Sequence, residues 1–172
     1  MAFETNLIRG VSNHYGPRVV NNRFGGRIDD EIVKYAAWTF DYTQVGTTAG
    51  TSVLGGTGNL EFSIPANSSI LSAKLQIITA FTSTSTTTDL NIGLEQADGT
   101  DIDVDGLITA AQATQTTIAI VGAIIDGASG TPAGLIGLTI GTAAGELIVQ
   151  SSAADLLTGK ARLLVTYLQP GI

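Results

Sequence analysis

Residues 101–106 read DIDVDG, three carboxylates at alternate positions followed by a glycine. That spacing opens a calcium loop. Oxygens at positions 1, 3 and 5 and a glycine at 6 bend the chain around the ion, and a glutamate at 12 closes the shell with both its oxygens. Asp101, Asp103, Asp105 and Gly106 meet the first part, and Ile108 falls at the commonly apolar position 8. Position 12 is Gln112, a neutral amide that binds calcium poorly. Ile102 and Val104 between the acids give the alternation of an amphipathic strand, and no helical pattern precedes the loop. We therefore read the stretch as a strand ending at Asp105. That residue then caps a short helix over LITAAQAT (107–114) by accepting its free N–H groups. Calcium held by Asp101, Asp103 and Asp105 is the alternative.

Other chemistry finds few carriers. There is no cysteine, which excludes disulfides and thiolate metal sites, and the single histidine, His14, cannot build a multi-histidine centre. A Ser–His–Asp set would have to use His14, which lies in an irregular N-terminal zone where a base is poorly held. The glycines of GGTG (55–58) lack the lysine of a phosphate loop. A glycosidase needs two carboxylates across a cleft, and the scattered acids select no pair. The expectation is a protein without catalysis and without a cofactor.

The elements that must position these residues are short strands. EIVKYAAWTFDY (31–42) is an aromatic-rich first strand whose Tyr35, Trp38 and Phe40 are expected in the core, and a Gly/Thr loop follows to 58. LEFSI (60–64) alternates, and PANSS (65–69) is a turn. Residues 70–81 alternate again, with Leu71, Ala73, Leu75, Ile77 and Phe81 expected inward. STSTTT (83–88) is a polar connection. DLNIGLE (89–95) turns inward Leu90, Ile92 and Leu94, and ADGT (97–100) carries the Asp-Gly hairpin signal. Further strands are expected at 116–125, 134–140, 146–151 and 160–168, the last with Ala161, Leu163, Val165 and Tyr167 facing one way. Successive strands with turn signals and almost no helix predict an all-β antiparallel jelly-roll or β-sandwich of about eight strands. It spans residues 31–172, behind an extended N-terminal arm over 1–30.

Charge divides the chain the same way. At 172 residues and net −7, with only 13% charged residues, it is long enough for a sizeable core and too acidic for a nucleic-acid binder. Residues 1–28 set Arg9, Arg18, Arg23 and Arg27 against Glu4, a net +3. Residues 41–172 set Lys74, Lys160 and Arg162 against eleven acids, a net −8. Seven of the ten aromatics lie within the first 42 residues. Arginine with aromatics is the composition of protein–protein hot spots, so the arm reads as a docking segment anchored by Tyr15 and Phe24. The start MAFETNLIRG has no signal-peptide core, and the apolar runs are too short to span a membrane as helices. The expectation is a chain made in the cytosol, with no membrane partner.

SNHYGPRVVNNRFGG (12–26), IPANSSILSAKLQIITAF (64–81), DIDVDGLITAAQ (101–112) and TGKARLLVTYLQP (158–170) together resemble structural proteins of tailed bacteriophages. In those proteins a YGPR-type start and a Gly-Gly precede a small β-domain, a Pro turn leads into a long strand, and an alternating strand closes the domain. The likeness covers most of the chain and looks closest to head decoration (cement) proteins of marine short-tailed phages. It implies a jelly-roll body on the capsid surface of the virion, made in the host cytoplasm. It also implies a homo-oligomer such as a trimer, and an arm that grips the major capsid protein through Arg9, Tyr15, Arg18, Arg23, Phe24 and Arg27. A tail-fibre or adhesin-type module that binds a receptor or glycan is the rival reading.

Overall fold

A computed structural model describes residues 33–45, 63–85, 87–127, 134–152 and 156–169. Seven strands and one helical turn follow in chain order: β1 (Val33–Asp41), β2 (Ser69–Ser83), β3 (Leu90–Glu95), β4 (Asp101–Ile108), α1 (Gln115–Ile118), β5 (Ile124–Asp126), β6 (Glu146–Ser151) and β7 (Leu156–Leu168). They form a four-stranded sheet of order β1-β7-β2-β5 and a three-stranded sheet of order β4-β3-β6, every named pairing antiparallel. The fold is an all-β sandwich of the jelly-roll type, as the strand pattern predicts.

One core joins the two sheets. Trp38, Phe40, Ala73, Leu75, Ile77, Phe81, Ala161, Leu163, Val165 and Tyr167 come from the four-stranded sheet. Leu90, Ile92, Leu94, Leu107, Ile108, Leu147 and Val149 come from the three-stranded one. The period-two pattern places most of them, because alternate side chains on a strand share a face.

The long pair β2–β7 is the spine, and its entry and exit match the expected phrases. Pro65 opens a turn in which Asn67, at φ 59°, takes the left-handed conformation and the Ser68 N–H donates to the Pro65 carbonyl at 3.2 Å. β2 starts immediately after it. Ile64 pairs only as an isolated bridge with Gly145, and residues 60–62 lie outside the described residues. On β7, Gly159 lies under the ring of Phe81: a Cβ there would stand 2.0 Å from Cδ1 of that ring. The Phe81 ring in turn meets Phe40 at 6.4 Å, tilted by 42°.

Four expectations change. A register shift between Ile70 and Ser72 turns Ile70 into the core and Leu71 out to solvent. Tyr35 is 70% exposed, since it is out of phase with the buried Trp38 and Phe40. The expected strand at 116–125 divides into α1, a turn with Gly122 at φ +84°, and the three-residue β5. The expected strand at 134–140 makes only bridges, Ile136 with Ile70 and Thr139 with Ser69, on either side of Gly137 at φ +88°.

Candidate functional site

DIDVDG lies within β4, which runs on to Ile108, so Asp105 caps no helix and the helix expected over 107–114 does not form. Leu107 and Ile108 are completely buried. A strand ending at Asp105 would have left both apolar side chains on a two-turn helix at the surface. The first N–H of α1 is held by Asp89, whose Oδ1 accepts from Gln115 N at 3.1 Å. β4 pairs Asp101 with Glu95, Asp103 with Leu94 and Ile108 with Ile92, so it advances five residues where β3 advances two. Gly93 permits this bulge: a Cβ there would lie 1.9 Å from the Asp103 carbonyl oxygen.

The three aspartates therefore follow a bulged strand. Asp103 Oδ1 accepts from Asp105 N at 3.3 Å. Burial first, and then hydrogen bonding to and repulsion by the Asp105 carboxyl, push the Asp103 carboxyl above the usual carboxylate range. Among the described residues no group of three His, Cys, Asp or Glu is arranged to hold a metal ion. Asp101 and Asp103 take part in the β3–β4 ladder, and Asp105 lies in the bulge between Asp103 and Ile108.

Arg9, Tyr15, Arg18, Arg23, Phe24, Arg27 and His14 lie outside the described residues. Within the body, the surface best suited to a partner is the outer face of the four-stranded sheet. Its register sets Tyr35 beside Thr166 and Ser72, then Ala37 beside Leu164, Lys74 and Asp126. Next come Thr39 beside Arg162, Gln76 and Ile124, and Asp41 beside Lys160 and Thr79. Lys74 forms an ion pair with Asp126, both exposed. Asp41 accepts from the N–H and the hydroxyl of Thr43; these bonds, and Lys160 more weakly, hold its carboxyl below its ordinary range.

Apolar side chains remain uncovered around these charges. Tyr35 and Leu164 stand at the β1–β7 side. At the β2–β5 side Ile120, Val121 and Ile124 are 59%, 65% and 63% exposed, and Ile78 on β2 is exposed as well. The Ile120–Ala123 turn is tied to β2 by Gly122 N–H to the Ile77 carbonyl at 2.8 Å and Ile77 N–H to the Ala123 carbonyl at 2.9 Å. Exposed aliphatics beside Arg162, Lys74 and Tyr35 combine contact area with hydrogen-bond donors, the chemistry of a protein-docking surface. The period-two count along β1 could have found Tyr35. The Ile120–Ile124 group gives no such signal, since TTIAIVGAII reads as a buried strand until its turn is seen.

Charge separates by sheet. The described cations Lys34, Lys74, Lys160 and Arg162 all belong to the four-stranded sheet. The three-stranded sheet and its β3–β4 turn carry Glu95, Asp98, Asp101, Asp103, Asp105 and Glu146, with no cation among the described residues.

No protein-family model and no curated protein matches the chain. Among solved structures it is similar to a chain of the cyanophage Pam1 capsid asymmetric unit, at 22% identity over 98% of this chain and 99% of that one, with a TM-score of 0.47. It is similar to a chain of the Ralstonia phage GP4 capsid at 18% identity, over 81% of this chain and 86% of that one, with a TM-score of 0.47. It is also similar to a chain of the acidic stable capsid of Helicobacter pylori bacteriophage KHP30 at 16% identity, over 81% of this chain and 89% of that one, with a TM-score of 0.46.

Proposed function

We propose that this chain is a phage virion structural protein, a decoration or cement protein that binds the outer capsid shell and stabilises it without catalysis. The observation that carries a docking role is the outer face of the four-stranded sheet, where Tyr35, Leu164 and the Ile120–Ile124 group stand exposed beside Lys74, Lys160 and Arg162. The phage assignment is supported by the phrases IPANSSILSA and TGKARLLVTY, each of which has a local role in the fold. The first is the left-handed turn that feeds β2, and the second is the closing strand whose glycine accepts the Phe81 ring.

A protein that binds only the assembled shell stabilises it by mass action, because expansion or rupture must first break its contacts. In this reading residues 1–30 are the arm. Arg9, Arg18, Arg23 and Arg27 pair with acidic patches of the major capsid protein, and Tyr15 and Phe24 anchor the arm in apolar ones. An extended arm covers much area with few residues, and several arms on one homo-oligomer act together through effective concentration.

The test is co-sedimentation with capsids stripped of this chain. The full chain is expected to co-sediment. A chain lacking residues 1–28, with an unchanged far-ultraviolet spectrum, is expected to lose attachment. Full affinity in the truncated chain would remove the arm from the mechanism. Attachment to cells or polysaccharide in place of capsids would favour the receptor- or glycan-binding reading.

A further inference from the structure

The three-stranded sheet contains an arrangement that strands ordinarily avoid. Glu95 on β3 stands directly opposite Glu146 on β6 and, across a register shift, pairs with Asp101 on β4, so three carboxylate residues follow one another across the whole sheet. Side chains at directly opposed positions approach within about 5 Å, where like charges oppose strand pairing. Glu146 is only 6% exposed, so water screens that end of the row weakly. No described cation lies on this sheet or its turn. The nearby Asp98 turns its carboxylate onto the Thr100 N–H at 2.9 Å. One pairing further along β4, Asp103 accepts from the Asp105 N–H at 3.3 Å, and the Asp105 carboxyl helps to raise its own.

We propose that the carboxylate row Asp101–Glu95–Glu146 makes the three-stranded sheet an acid-responsive element, whose strand pairing tightens when the row takes up a proton on mild acidification. A single proton on Glu95 removes repulsion from both sides at once, and it converts the central carboxylate into a donor that a neighbouring carboxylate can accept. Burial, then Asp101, then Glu146, raise the Glu95 carboxyl above its ordinary 4.5. The folded chain therefore binds this proton at a higher pH than the unfolded chain does. Stability rises as pH falls through the folded-state value, and the gain is complete below 4.5. Asp103, raised above its ordinary 3.8, acts in the same direction over a window that extends lower. Asp41 and Asp98 act in the opposite direction, but both are held below 3.8, so their loss falls at lower pH and does not cancel the gain.

The experiment is thermal unfolding of the full chain from neutral pH to about pH 5, with a carbon-detected NMR titration of the Glu95 side chain. The melting temperature is expected to rise by roughly 2–4 °C on acidification. Glu95→Gln is expected to melt higher than the parent at neutral pH and to lose most of that rise. Asp101→Asn is expected to shift the Glu95 titration midpoint down, a readout that a packing role for Asp101 would leave unchanged. A melting temperature that is flat or falls on acidification would overturn the proposal. So would a full rise retained in Glu95→Gln, or, if that variant does not fold, a Glu95 midpoint in the parent at or below 4.5.

Discussion

Gly159 shows how one residue without a side chain fixes the packing of two strands. Its φ is +141°, outside the range that side-chain-bearing residues adopt comfortably, and the face a Cβ would occupy is filled by the Phe81 ring. Gly159→Ala must therefore displace a ring that is itself completely buried against Phe40. We expect a loss of at least about 2 kcal/mol, from backbone strain and overpacking together. A lower denaturation midpoint at unchanged m-value would register it, and a loss under about 0.5 kcal/mol would contradict the packing described. TGKA is visible in the sequence as a phrase, but its reason is a contact across 78 residues, which local pattern does not encode. Tyr35 differs in kind. Its position out of phase with Trp38 and Phe40 is legible, and the aromatic character that suggests burial is outweighed by strand geometry.

Elements were legible where alternation ran unbroken and lost where it slipped. The Lys160–Leu168 part of β7 follows the sequence pattern because one solvent face and one core face impose period two, whereas β3 and β6 were legible as apolar runs and β6 is buried on both faces. The start of β2 departs from it because the shift between Ile70 and Ser72 exchanges the faces of two adjacent apolar residues. Hydropathy alone cannot separate Ile70 from Leu71, whereas the structure separates them completely. Leu71→Ser is expected to change stability by less than about 0.5 kcal/mol. Ile70→Ser both opens a cavity and buries a hydroxyl, and should cost about 3 kcal/mol or more. Chemical denaturation of the two variants decides the register, and a larger loss for Leu71→Ser than for Ile70→Ser would mean that the strand enters without the shift. The expected helix at 107–114 fails for a related reason. Helix and strand templates both accept LITAAQ, and the choice is made by Leu107 and Ile108 closing the core beside Ile92 and Leu94, a long-range gain absent from the six residues themselves.

At the scale of the whole molecule, charge is sorted at two levels, between the first 28 residues and the rest, and within the body between the two sheets. The first level was legible by counting; the second required the strand order, which brings Lys74, Lys160 and Arg162 together from positions nearly ninety residues apart. On the proposed reading, attachment to a shell is driven partly by four arginines and opposed by a body of net −8 wherever that shell is acidic. Exposed charges interact over about 10 Å at 0.1 M salt and about 3 Å at 1 M, so the balance can be tuned without touching the fold. The full chain should bind stripped capsids more weakly as salt rises. The variant with Arg9, Arg18, Arg23 and Arg27 all changed to glutamine should bind more weakly at low salt. Its salt dependence should be flat or inverted, because screening then relieves repulsion and no longer removes attraction. Co-sedimentation across a salt series measures both slopes. Parallel slopes would mean that these arginines make no ionic contact with the shell, and would shift the docking role to Lys74, Lys160 and Arg162 on the four-stranded sheet.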